Sequence, residues 1–185
     1  YDEIIRRNAT VSEYISSAGM QSIDVSSDGN CYFRSISLCL YGTEERHVEL
    51  RKAIAQHIAE YSDVIFADIC DVTKDRDFYR KLAASTFVNS TWPGENVSKV
   101  SADFLGREIF IYTASTTSPL IYKPTSPYVS TVEPVRLAFF EPGHYQAVIH
   151  AHASSNSVPP ALSSFIPTIP GNEMSPTMQL PADQH

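Results

Sequence analysis

The sequence predicts a mixed α/β (α+β) fold, with helices flanking a small, mostly antiparallel sheet. Three observations carry that expectation. Apolar residues recur three to four apart through roughly the first 105 residues. Short β-branched and aromatic runs, set between Pro, Ser and Gly breakers, follow up to about residue 150. The remainder is dominated by Pro and Ser. Helices first and strands afterwards suit layers packed around one modest sheet.

Taken in order, Thr10-Val11-Ser12-Glu13 has the form of a capping box and opens a short helix to about Ala18, stopped by Gly19. Ile23 and Val25 alternate with polar neighbours in a short extended piece before a polar turn at Ser26 to Asn30. The apolar run from Cys31 to Tyr41 ends at Gly42, as a buried helix would. Thr43, Glu44 and Glu45 start the next helix with acids in its first turn, and its face comprises Val48, Leu50, Ile54, Ala55, Ile58 and Tyr61. A further helix is expected over 74–87, facing inward with Phe78, Leu82 and Ala83. Trp92-Pro93-Gly94-Glu95 begins another, carrying Val97, Val100, Phe104 and Leu105 up to Gly106. Extended runs follow at 108–113, 120–122, 135–140 and 144–149. Six of the twelve prolines fall beyond residue 152, so 151–185 reads as a disordered tail after a short helical segment (1–19) and a folded unit (20–150).

With 185 residues, 43% hydrophobic and 19% charged, the chain is sized for one domain with a real core. A net charge of -7 argues against a nucleic-acid partner, which calls for a basic footprint, and suits a basic protein or peptide. No run reaches the length of a membrane span. The three cysteines, Cys31, Cys39 and Cys70, make a poor disulfide framework and have no zinc-site spacing, so reduced thiols in cytoplasm or nucleus are expected, with no metal or other cofactor. The chain begins at Tyr1, which reads as an excerpt of a longer protein.

The residues that could carry chemistry are Cys31, at the end of the Asp28-Gly29-Asn30 turn, and His144, after Pro142-Gly143 at the start of the last strand. A thiol attacks only as thiolate, and the first turn of a helix favours that anion through its unsatisfied N–H groups and dipole. The same backbone groups at Gly29, Asn30 and Cys31 could hold the oxyanion of a tetrahedral intermediate. His144 is the natural base. A third group should orient its ring. Two candidates stand open: Gln146, which shares a strand face with His144, and Asp28, whose other employment would be to cap its own turn. For an arbitrary cysteine the bland reading, a small buried hydrophobe, competes strongly. Cys39 fits that description.

Asp28-Gly29-Asn30-Cys31-Tyr32-Phe33-Arg34-Ser35 resembles the nucleophile motif of the OTU (ovarian tumour) cysteine proteases. The likeness continues at Trp92-Pro93-Gly94-Glu95 and Ile109 to Tyr112 and closes at Gly143-His144-Tyr145, covering about residues 20–150. It implies a papain-like α/β protease fold and hydrolysis of isopeptide bonds at the C-terminal glycine of ubiquitin. By position it makes Cys31 the nucleophile, His144 the base and Asp28 the turn acid, in a monomeric catalytic domain. Two departures stand out. Gln146 occupies the place where the family commonly has Asn or Asp, and Pro93 interrupts the Trp-Gly pair. The rival expectations are an inactive ubiquitin-binding module and a protease acting on another ubiquitin-like modifier or a viral polyprotein.

Overall fold

The computed structural model describes residues 1–64, 76–90, 93, 95–125 and 132–151. Helix α1 (Asp2–Ser17) leads into β1 (Met20–Ile23), α2 (Cys31–Tyr41), α3 (His47–Val64), α4 (Arg76–Phe87) and α5 (Glu95–Leu105). Strands β2 (Ile109–Tyr112), β3 (Leu120–Tyr122), β4 (Val135–Phe140) and β5 (His144–His150) follow. They form one sheet ordered β1-β5-β4-β2-β3. Three of its pairings are antiparallel and β2 runs parallel to β4. The α+β expectation holds.

Strand alternation sorts the core into two layers. Ile109, Ile111, Leu137 and Ala147 face a large cluster with Phe33, Ile36, Leu40, Leu50, Ile54, Ile58, Val97 and Val100 from α2, α3 and α5. Tyr112, Ala138 and Val148 face the opposite way and bury Val11 and Ile15 of α1. The sheet is therefore covered on both sides.

Helix α1 starts eight residues earlier than Thr10 suggests. The Thr10 and Ser12 hydroxyls bond back to the carbonyls of Arg6 and Asn8, so neither caps a terminus. What holds the polar first turns helical is the docking of Val11 and Ile15, which a local signal does not announce. The inward face of α4 is wider than expected: Ala83 is buried and Phe78 and Leu82 pack half-buried against the large cluster, and Tyr79 and Thr86 are buried beside them. Expectations for Cys70, Trp92 and Gly94, and for the tail beyond Ala151, concern residues outside those described.

Candidate active site

Cys31 opens α2 and is nearly covered. The turn before it is built to leave no freedom. Gly29 takes φ +81°, and a Cβ there would lie 2.4 Å from the Ser90 carbonyl oxygen, so no side chain fits. Asn30, 1% exposed, turns its side chain away from α2 and onto Ser90: Oδ1 accepts the Ser90 N–H at 3.0 Å and Nδ2 donates to Ser90 Oγ at 3.4 Å. Beneath them lies Arg51 of α3, 1% exposed. Its guanidinium donates to the carbonyls of Gly29, Thr86 and Val88, each at 3.1 Å, and stacks over the Phe33 ring. Burial lowers the Arg51 pKa. Three backbone carbonyls from two segments thus share one buried cation.

Asp28 points to the outside of this turn. Arg34 grips it with two bonds, Nε to Oδ1 at 3.1 Å and a terminal nitrogen to Oδ2 at 2.6 Å, a fork-to-fork pair. Arg34 also reaches Glu44 at 3.1 Å, which in turn accepts from Ser26 Oγ at 2.6 Å. The Arg34 guanidinium holds the Asp28 carboxyl well below the usual carboxylate range. Asp28 Oδ1 additionally accepts the Asn30 N–H at 3.1 Å. Of the backbone donors expected around an oxyanion, the Asn30 amide is therefore already engaged.

The histidine arrives from the other end of the chain. β5 begins at His144, and the N–H of the next residue, Tyr145, donates to Cys31 Sγ at 3.4 Å. The sheet thereby brings the two expected residues side by side. The His144 ring meets Asp24 through Nε2 at 2.7 Å and Ser27 Oγ through Nδ1 at 3.2 Å. A carboxylate can only accept, so Nε2 carries the proton and, in the neutral ring, Nδ1 keeps the lone pair, on which the Ser27 hydroxyl sits. The bond from His144 is the largest influence lowering the Asp24 pKa. Gln146 does not orient the ring directly: its Nε2 donates to Asp24 Oδ1 at 3.1 Å. Neither of the two open candidates touches the imidazole. Asp28 belongs to Arg34, Gln146 holds the acid, and Asp24 is the group against the ring.

Asp24 escaped the sequence because its position depends on pairing. β1 lies antiparallel to β5 with Ile23 opposite Ala147, so the next residue, Asp24, comes across from Gln146. A lone acid between Ile23 and Val25 was the only local hint. Ser27, Ser90 and Arg51 carried none. The other described thiol behaves as expected of a core residue: burial pushes Cys39 up to about 11, and its Sγ contacts the Arg136 carbonyl at 3.3 Å. Among the remaining described histidines, His47 bonds the Glu44 carbonyl, His57 packs edge-on to Phe104, and His150 reaches Glu133.

A cavity of about 510 Å³ adjoins the pair on the Tyr145 side, lined among others by Ile111, Thr113, Leu120, Tyr122, Phe139 and Tyr145. Ser115 and Thr116, from the loop after β2, also contribute.

A family model described as the Vertnin OTU domain matches residues 22–179. Among solved structures, the OTU domain of OTUD1 superposes with a TM-score of 0.64 at 22% identity, covering 80% of this chain and 97% of that one. An OTU domain in complex with ubiquitin gives a TM-score of 0.53 at 16% identity, covering 70% and 69%. The viral OTU protease of Qalyub virus gives 0.51 at 16% identity, covering 70% and 83%. At these identities the likeness is one of fold. No curated protein sequence matches the chain.

Proposed function

The chain belongs to the Vertnin OTU-domain family, and from that premise we propose that it is a thiol-dependent deubiquitinase, hydrolysing isopeptide bonds at the C-terminal glycine of ubiquitin. The observation that carries the reading is the meeting of Cys31 Sγ with the N–H beside His144, whose ring is tied to Asp24. Ubiquitin as partner is supported by the ubiquitin-bound OTU domain of the same fold.

In the proposed reaction the imidazole leaves Ser27 and takes the Cys31 proton on Nδ1. The thiolate attacks the glycine carbonyl, and the developing oxyanion is met by backbone N–H groups at the start of α2. His144 returns the proton to the departing lysine amine. Water, deprotonated by the same nitrogen, then cleaves the thioester and releases the thiol. Asp24 stabilises the imidazolium at each stage, and Gln146 keeps that carboxylate in place. In this role Asp28 is a framework acid of the nucleophile turn.

A second reading has one observation in its favour. Both ring nitrogens of His144 and the Asn30 N–H are already bonded within the protein, as they could be in a ubiquitin-binding module without catalysis. A ubiquitin C-terminal electrophilic probe separates the two, scored by intact mass beside Cys31→Ala. A single adduct lost only in Cys31→Ala supports the hydrolase, and that variant is expected to stay folded, with stability within about 1.5 kcal/mol of wild type. Ubiquitin binding without an adduct supports the module. An adduct on another modifier, with none on ubiquitin, moves the substrate.

A further inference from the structure

We propose that helix α1 belongs to the catalytic apparatus, with Asn8 as a positioning residue for the turn from which His144 enters its strand. The proposal rests on the reading of Cys31 and His144 as a thiol–imidazole pair. All of α1, Asn8 included, precedes the residues matched by the family model.

The Asn8 side chain closes two bonds on one backbone residue 133 positions away. Its Nδ2 donates to the Glu141 carbonyl at 2.8 Å, and its Oδ1 accepts the Glu141 N–H at 2.8 Å. A side chain here does what a neighbouring strand residue does in a narrow antiparallel pair. An amide suits this task because it alone offers a donor and an acceptor from one planar group at every pH. The preceding residue reinforces the grip. Arg7 pairs with the Glu141 carboxylate at 3.0 Å and donates to Ser115 Oγ at 3.4 Å, in the loop after β2 that lines the cavity.

Glu141, Pro142 and Gly143 are the three residues that join β4 to β5, and Phe140 is the Cα partner of His144. His144 is the first residue of its strand, and both partners of its ring come from the segment between β1 and α2. The turn is therefore where the ring's place can be lost. α1 cannot drift with it, because Val11 and Ile15 are buried against Tyr112, Ala138 and Val148. The chain of support runs from the sheet to α1, from Asn8 to Glu141, and from the turn to His144 and the Tyr145 N–H on Cys31.

The test compares wild type with Asn8→Ala, Asn8→Asp and Thr10→Ala. Thr10 lies on the same helix and its hydroxyl bonds the Arg6 carbonyl within it, so it controls for changes in the helix itself. Alkylation of Cys31 by iodoacetamide is followed by mass from about pH 6 to about pH 9.5, spanning the imidazole and thiol ranges. Thermal unfolding is recorded alongside. Asn8→Ala is expected to lose about tenfold in rate near pH 6.5, where the thiolate depends on a positioned imidazole, and to match wild type near pH 9.5. Asn8→Asp keeps the acceptor and loses the donor, so it falls between, and it carries the test if Asn8→Ala does not fold. Thr10→Ala follows wild type.

Wild-type profiles in the Asn8 variants, equal losses at both ends of the pH range, or the same loss in Thr10→Ala would overturn the proposal. So would unfolding of both Asn8 variants, or a wild-type profile that is already that of an ordinary thiol. Iodoacetamide needs no ubiquitin. Silence toward the ubiquitin probe would thus defeat the deubiquitinase reading alone.

Discussion

The turn that carries Cys31 and the strand end that carries His144 meet within hydrogen-bond reach, but the two are held by opposite means. On the cysteine side the supports are buried: Arg51 and Asn30 are each 1% exposed, and Gly29 is pressed against the Ser90 carbonyl. On the histidine side the partner acid has a side chain that is 75% exposed, against 20% for His144. Buried bonds are costly to break because the groups left behind find no water. Exposed ion pairs contribute little and exchange with solvent. In the proposed reaction a nucleophile gains from a rigid seat, whereas a base that must leave Ser27, accept a proton and give it back needs a ring that can move. The contrast matches those two tasks.

Breaking the rigid side should have the largest effect. Gly29→Ala combines an unfavourable positive φ with a backbone clash and is expected to destabilise the fold by about 3 kcal/mol, read by urea unfolding. It should also abolish probe labelling. A stable, labelled variant would mean that the turn is softer than its contacts suggest.

On the mobile side, activity should fall while stability stays. His144→Ala is expected to lower turnover by about 10²–10⁴-fold. Asp24→Ala should cost about 10²-fold or less, since the base remains but is misplaced. Gln146→Ala, one step further from the ring, should cost less again. Equal losses for His144→Ala and Gln146→Ala would make the amide a full partner of the imidazole. Asp28→Ala belongs to the other side: it should be seen mainly in unfolding rather than in the pH profile of the reaction.

Acid sharpens the comparison further. Because the folded-state pKa of Asp28 is depressed by Arg34, its contribution to stability is fully present above the ordinary carboxylate range, about pH 4. That contribution is lost as pH falls through the folded value. Asp28→Asn should therefore unfold more easily than wild type at pH 6, and the difference should narrow steadily as the pH is lowered from about 4 to about 2, in urea midpoints measured across that range.

The smallest effect is expected from Ser27→Ala. Removing the hydroxyl from Nδ1 relieves a bond worth about 0.5–1.5 kcal/mol, the low end applying to an exposed site. Cys31 alkylation near neutral pH should rise about twofold. A fall instead would make Ser27 a support of the ring rather than its competitor.

Several features needed nothing beyond the sequence. The stop of α2 at Gly42, the inward faces of α3 and α5, and the run of strands at the end follow from residues one to four positions apart. So does the polar turn that delivers Cys31 to a helix start. These are local signals, and the backbone's own geometry converts them into structure. The partners of the site are different in kind. Asp24 reaches His144 across 120 positions only because β1 pairs with β5 in one register, and a slip of one residue would turn it to the opposite face. Asn8 reaches Glu141 across 133 positions, on a helix whose first turns persist because Val11 and Ile15 dock on the sheet. Arg51 is an ordinary helical arginine until three carbonyls converge on it. By itself the sequence determined most of the helices and strands and the placing of Cys31, the proposed nucleophile, at the start of α2. The sheet pairing decided which acid holds the imidazole and which helix holds the turn beneath it, because register and docking arise between segments that carry no mark of each other.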